Sequence, residues 1–300
     1  MMDHEAQRSM QVTTNPRKYG LFAAALASFA LCLSSAHAQE AEHPDTGERV
    51  THESAEKAGE SDIAKESQNP IGNLTILPFE NYTNFDVGPH KGVQNILQFE
   101  PVVPFHISND WNIITRAVVP PVWNPSYAPA HVASFGLAPT DFSAFFSPSH
   151  PVDGWTWGVG PIVQIPTATS PTLGSSVWGL GPTAVLVKTT EHVVAGVLVN
   201  QVFSMGGHAG PYANRYSQFL AQPFFNYNFG QGWFVGTAPI ITANEYGTGQ
   251  KWTVPVGAFA GRVIRLGKLP VKLSLGGYYN VVRPEFGPTW TLQTVVAFIF

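Results

Sequence analysis

From about residue 71 to the C-terminus, apolar and polar positions alternate with period two, and Gly, Pro and Asn clusters punctuate the alternation. The segment 270–283 carries Val271, Leu273, Leu275, Tyr279 and Val281 on one parity, and Lys272, Ser274, Gly276, Tyr278 and Asn280 on the other. The segment 216–229 sets Phe219, Ala221, Phe225, Tyr227 and Phe229 against Gln218, Gln222, Asn226 and Asn228. Successive side chains of a strand point to opposite faces, so each segment predicts a strand with one apolar face and one amide-rich face. The pattern predicts about twelve strands, at 71–86, 91–105, 110–120, 138–147, 154–166, 176–188, 192–204, 216–229, 232–245, 251–265, 270–283 and 289–300. A soluble sandwich would alternate in the same way with its apolar face turned inward. Length separates the two, because these segments exceed the usual strand of about 5–6 residues and reach the roughly 9–11 that a tilted membrane strand needs.

The connections carry a second pattern. Short turns are expected near Ser108-Asn109, Thr189-Thr190, Gly230-Gln231 and Leu266-Gly267, whereas Pro121 to Leu137 reads as the longest loop. Outer-membrane barrels have an even strand number, short periplasmic turns and longer outer loops. Placing both termini in the periplasm reproduces that alternation, although the turn after the fourth strand and the tight first loop near Pro89-His90 fit less well. Trp111, Trp155 and Trp233 each follow a short turn and form an expected aromatic girdle at the periplasmic rim, where an apolar ring with a polar N–H suits the boundary of hydrocarbon and water. The last strand ends on Phe298 and Phe300, the aromatic C-terminal signature read by barrel-assembly machinery. The fold class is therefore all-β, a transmembrane antiparallel barrel with outer-membrane lipid as its surroundings.

The N-terminal part reads differently. Arg17 and Lys18 precede an apolar run from Leu21 to Leu33 and the small-residue site Ser35-Ala36-His37-Ala38, so residues 1–38 are expected to be a cleaved signal peptide, with Met1 or Met10 as the start. Residues 39–68 are acidic, polar and free of aromatics, and predict a flexible periplasmic extension, with a plug entering the barrel as the alternative. Residues 69–300 are the barrel. The only cysteine, Cys32, lies in the signal segment, which leaves the mature chain without a disulfide or thiolate metal site. Charged residues are 12% of the chain, about half the usual share of roughly 25%, and the net charge of −4 resides mostly in the 39–68 stretch. No basic stripe for nucleic acid is present. Mean hydropathy of +0.01 is too polar for a helical membrane bundle.

Catalytic chemistry finds no support. The glycines of Tyr246 to Lys251 suit a hairpin turn better than a phosphate loop, and Gly158-Val159-Gly160 lacks the rest of a dinucleotide fingerprint. His90, His106, His131, His150, His192 and His208 are scattered over loops with no ligand spacing. No enzyme, metal or cofactor is expected. The candidate site is the lumen, where alternation places Gln98, Glu100, Asn112, Arg116, Gln164, Gln218, Gln222, Asn226, Asn228, Lys272, Asn280 and Gln293. Few charges of both signs favour small neutral or mixed polar and aromatic solutes. A sealed, hydrogen-bonded interior stays open as an alternative. Pro101, Pro104, Pro161, Pro166, Pro182, Pro223, Pro239 and Pro255 fall in or near strands and predict bulges or kinks, since proline donates no ladder hydrogen bond.

Several stretches resemble a known family: Ser67-Gln68-Asn69-Pro70 through Phe79, Gln98-Phe99-Glu100-Pro101 to Pro120, and Gly158-Val159-Gly160-Pro161 to Thr169. Further ones are Gln222-Pro223-Phe224 to Asn244, Lys251 to Gly257, and Tyr278-Tyr279-Asn280-Val281-Val282-Arg283-Pro284. Together, over about residues 67 to 300, they resemble bacterial outer-membrane proteins related to the meta-pathway phenol-degradation transporters, some of whose relatives carry the label neuromedin U. The resemblance implies an outer-membrane barrel with a transport role, with aromatic compounds among the solutes. It brings no catalytic or binding residues to this chain. The function expected is a passive channel, and the alternatives are a sealed structural or surface-binding barrel and, last, a membrane-embedded hydrolase.

Overall fold

The structure is a computed structural model that describes residues 59–126, 134–205 and 215–300. The signal segment, residues 39–58, Tyr127, His131 and His208 lie outside the described residues. The strands are β1 (Ile76–Val87), β2 (Gly92–Phe99), β3 (Val102–His106), β4 (Trp111–Val118), β5 (Pro121–Asn124), β6 (Ser134–Leu137), β7 (Thr140–Pro148) and β8 (Trp155–Ile165). They continue as β9 (Gly179–Thr189), β10 (Val193–Ser204), β11 (Ser217–Gly230), β12 (Trp233–Thr237), β13 (Ile241–Asn244), β14 (Trp252–Leu266), β15 (Leu269–Val282) and β16 (Trp290–Ile299).

All ladders are antiparallel, and β1 pairs with β16 from Ile76↔Ile299 to Phe85↔Trp290, which closes the sheet into a barrel. Four wall strands are each broken into two segments (β2/β3, β4/β5, β6/β7 and β12/β13), so the sixteen segments make twelve wall strands. The breaks fall at Glu100-Pro101, Val119-Pro120, Ala138-Pro139 and Ala238-Pro239-Ile240. Each contains a proline, whose missing N–H interrupts the ladder where alternation alone predicts continuity. Pro255 lies at a register shift between β14 and β15, as expected of a bulge.

Two strand expectations are corrected. The first strand begins at Ile76 rather than at residue 71, because 71–75 turn inward. The stretch 121–137 is not one long loop: β5 and β6 occupy its two ends and pair with each other from Pro121↔Leu137 to Asn124↔Ser134. Val122 and Trp123 were hidden by the prolines around them. Among the described residues no helix is long and apolar enough to cross a membrane.

The short turns after β3, β9, β11 and β14 lie at the end where the chain enters and leaves, where Thr75 and Phe300 exchange both backbone hydrogen bonds, at 2.8 and 3.2 Å. At this rim Trp155 and Trp233 project outward, half exposed, with Lys188 Nζ and the Arg262 guanidinium each 5.2 Å from an indole centroid. A long cationic side chain lying on an indole keeps its charge at the aqueous edge while its stem covers apolar surface. Trp111 stacks on Phe146 at 4.3 Å, and Phe298 packs edge-on against Phe79. Trp252 and Trp290 open β14 and β16 at the opposite rim, also exposed. The exposed face between the rims carries Val159, Leu186, Phe225, Val256, Leu275 and Leu292, the composition of a wall facing hydrocarbon.

Candidate functional site

The parity opposite the exposed aromatics points into the barrel, and that interior is not empty. Residues 59–66 form a short helix, and the chain then runs through turns to Thr75 before β1 begins. Residues 59–68 belong to the stretch expected to be a flexible tail; they are instead folded against the inner wall. Ala64 is fully buried with Phe234 and Val263, while Ile63 and Leu74 pack on Ile76, Val295, Ala297 and Ile299. Ile71 is buried among Val102, Ile114, Phe145, Val185, Val187, Val194 and Leu198. The segment thus touches β3, β4, β7, β9 and β10 on one side and β12, β14 and β16 on the other, so it crosses the lumen. Three widely spaced apolar residues, Ile63, Ile71 and Leu74, make this possible. Of the three only Ile63 lies within the acidic stretch 39–68, too sparse an apolar signal to mark an inserted segment.

Polar side chains of the wall hold the segment. Gln68 and Asn228 form a reciprocal amide pair, at 2.9 and 3.1 Å. Lys272 Nζ donates to the Ser67 carbonyl oxygen at 3.0 Å, and Asn112 Nδ2 donates to Asn73 Oδ1 at 3.1 Å. Within the segment, Glu66 Oε1 accepts from the Asn73 N–H, and the Ser67 hydroxyl donates to the Ala64 carbonyl.

Beside the segment lies a cavity of about 170 Å³, lined by Ser67 to Pro70, Glu80, Tyr82, Glu100, Arg116, Gln222, Phe224, Asn226, Phe234, Ala238, Ile240, Phe259, Lys272 and Gln293, among others. One side of it is charged and hydrogen-bonded. Arg116 Nη2 meets Glu100 Oε2 at 2.6 Å as a largely buried ion pair. Glu80 Oε2 accepts from Tyr82 Oη at 2.6 Å and from Gln293 Nε2 at 3.2 Å. Such a network fixes its members, because removing either partner of a buried pair strands the other. The opposite side, with Phe224, Phe234, Phe259 and Ile240, is apolar.

Six of the twelve residues expected in the lumen, namely Glu100, Arg116, Gln222, Asn226, Lys272 and Gln293, line this cavity. Asn112 and Asn228 instead bind the inserted segment. Gln98 stands opposite Glu80 in the β1–β2 register. Gln164 donates to Asp141 at 3.0 Å and, with Gln218, lines a second space of about 300 Å³ nearer the long loops. Asn280 donates to the Pro288 carbonyl and borders an outer cleft. Sequence reasoning missed Glu80, Tyr82 and Asn84, although all three share one parity of β1 and could have been read from it. It also missed Asp141, which shares the parity of Ser143 and Ser147 on β7.

The outer half of the lumen is narrowed by the connection 166–178. Leu173 and Val177 are buried, and Val177 packs with Ile162, Val202 and Tyr216. Tyr216 Oη donates to the Val177 carbonyl at 2.9 Å, and Asn124 Nδ2 to the Thr172 carbonyl at 3.2 Å. Thr167 and Thr169 bind the β6/β7 break and the end of β6.

No family model matches this chain, and no curated protein matches it. Among solved structures it is similar to a COG4313 outer membrane channel from Pseudomonas putida F1, at TM-score 0.58 and 15% identity over 76% of this chain and 96% of that one. The NanC porin matches at TM-score 0.46 and 9% identity, over 75% and 98%. The Pseudomonas putida toluene transporter TodX matches at TM-score 0.37 and 12% identity, over 79% and 93%. The first of these shows the fold: a twelve-stranded barrel of the outer-membrane type.

Proposed function

We propose that the protein is a passive outer-membrane channel for small solutes, and that its own residues 59–74 form the inner gate. The observation that carries the reading is the segment itself. It crosses a lumen lined by polar side chains and is held by three apolar anchors and a few hydrogen bonds, not by the barrel ladder. Such contacts can be broken without unfolding the wall. The fold shared with the Pseudomonas putida channel supports the reading, as does the sequence resemblance to phenol-degradation transporters, which adds aromatic compounds as the solute class. The cavity suits that class in having one apolar, aromatic side and one hydrogen-bonding side.

The test is single-channel conductance of the refolded mature chain in a planar bilayer, with and without residues 39–74. Rare openings that become frequent on removal of the segment are expected. A silent bilayer from both proteins, each shown to be folded, would refute the channel.

A further inference from the structure

Midway up the lipid-facing side of the wall stands a cluster of polar side chains. On β1, Glu80 and Tyr82 line the cavity, so Asn81 and Thr83 take the outward parity, between the exposed rings of Phe79 and Phe85. The register sets Asn95 of β2 beside Thr83, and Thr294 of β16 beside Asn81. Leu97, Leu275 and Leu292 border the island so formed. Asn81 lies five residues along the strand from Ile76 at the periplasmic end. At a rise of ~3.4 Å per residue and a strand tilt of about 40°, that is about 13 Å up the wall, near the middle of an apolar band about 25 Å tall. Of the other strand amides among the described residues, only Gln201 shares the outward parity. It stands three residues from Ser204 at the outer end of β10, and its Nε2 donates to the Ser217 hydroxyl at 2.8 Å. Its surroundings are the wet rim, whereas those of Asn81 and Asn95 are hydrocarbon.

The island satisfies only part of its own hydrogen-bonding capacity. Asn81 Nδ2 donates to Thr83 Oγ1 at 3.1 Å, and the Thr83 hydroxyl donates to Asn95 Oδ1 at 2.8 Å. That chain of bonds leaves the Asn95 amide N–H groups at one end and the Asn81 carbonyl oxygen at the other, and neither meets a partner among the described residues. Acyl chains offer no donor and no acceptor, so polar groups at this depth call for protein on the other side.

A second copy of the chain supplies what the island lacks. Two barrels inserted in the same direction are related by a two-fold axis along the membrane normal, which keeps every residue at its own depth. Island then meets island, and because an amide carries donor and acceptor together, each free N–H faces a free carbonyl oxygen. Close approach is open to them. The same register row runs Ala258↔Gly277↔Leu292↔Thr83, and a Cβ added at Gly277 would meet nothing within 4 Å. Small side chains let neighbouring walls come near enough to hydrogen-bond within lipid.

We propose that the lipid-facing side of β16, β1 and β2 is the interface at which two copies of this chain associate in the membrane, with Asn81 and Asn95 as its hydrogen-bonding centre. The inference is independent of the channel reading, since it concerns the opposite face of the wall.

The mature chain has no cysteine of its own, so one introduced thiol reports one face. Leu97→Cys places it beside the island, and Leu186→Cys places it on the exposed face of β9, across the barrel. Each protein is cross-linked with a short bismaleimide in outer membranes, and in lipid vesicles of increasing lipid-to-protein ratio, and the dimer is read on a gel. Leu97→Cys should give a dimer that persists on dilution, and Leu186→Cys should not. Asn95→Val in the Leu97→Cys chain removes one amide from each copy. It should weaken association by about tenfold, roughly threefold for each of two bonds. Asn81→Leu with Asn95→Leu should take the dimer below detection, with heat-dependent gel mobility showing that the barrel is folded. Equal yields from the two faces are random collision and overturn the interface. A Leu97→Cys adduct with a different protein, and none with its own kind, overturns the second copy. An undiminished dimer in folded Asn95→Val overturns the role of the amides and with it the proposal.

Discussion

Ile71→Ala tests whether residues 59–74 are a displaceable gate. Ile71 is 3% exposed, surrounded by Val102, Ile114, Phe145, Val185, Val187, Val194 and Leu198 from the inner wall. When the segment leaves the wall, this side chain passes from an apolar pocket into water. Alanine removes three carbons from that transfer, each worth about 0.8 kcal/mol, so docking weakens by about 2.4 kcal/mol. At 25 °C that multiplies the undocked-to-docked ratio by roughly 50, and Ile71→Val, which removes one carbon, multiplies it by about 4. The assay is open probability in a planar bilayer, with heat-dependent gel mobility to show that the barrel is folded. Wall ladders are untouched by either change, so the barrel itself should still fold. The expected order of open probability is wild type, then valine, then alanine. An unchanged open probability in Ile71→Ala would refute the gate, because the largest buried anchor would then not oppose opening.

Three further outcomes follow from contacts in the lumen. Lys272→Gln removes the lumen cation that bonds the Ser67 carbonyl, and should both raise open probability and shift the reversal potential toward cation preference in a salt gradient; an unmoved potential would place Lys272 off the ion path. Arg116→Ala leaves Glu100 buried without its partner and should destabilise the barrel by about 3–5 kcal/mol in denaturant titration, whereas Arg116→Met with Glu100→Leu should cost much less; equal losses would mean that the pair is solvated. Gly181→Ala should prevent or strongly impair folding, since the added Cβ would overlap the Gln201 backbone carbonyl on β10, a clash that no side-chain rotation relieves; a normally heat-modifiable Gly181→Ala protein would contradict the close approach of β9 and β10.

Period-two alternation, turn residues and the aromatic C-terminus determined the closed all-β wall, the number of wall strands and the face each side chain takes, because those features depend on local backbone geometry. Asn226 and Asn228 lie on the interior parity expected for them, and Phe225 and Tyr227 on the exterior one, for that reason alone. The same local rule misjudged Pro121 to Leu137, where prolines masked the pairing of β5 with β6, a contact between residues far apart in the chain. It offered a plug entering the barrel only as the alternative for residues 39–68, and it assigned residues 71–75 to the first strand, whereas residues 59–75 fill the lumen. Ile63, Ile71 and Leu74 acquire their meaning from pockets built by Val102, Val187 and Ala297, which come together only when the barrel closes. The local rule also could not place Tyr278 against Ala238, a contact made across Gly257 on the strand between. Local periodicity specifies a wall, whereas what stands inside the wall depends on register and distant packing, which exist only in three dimensions.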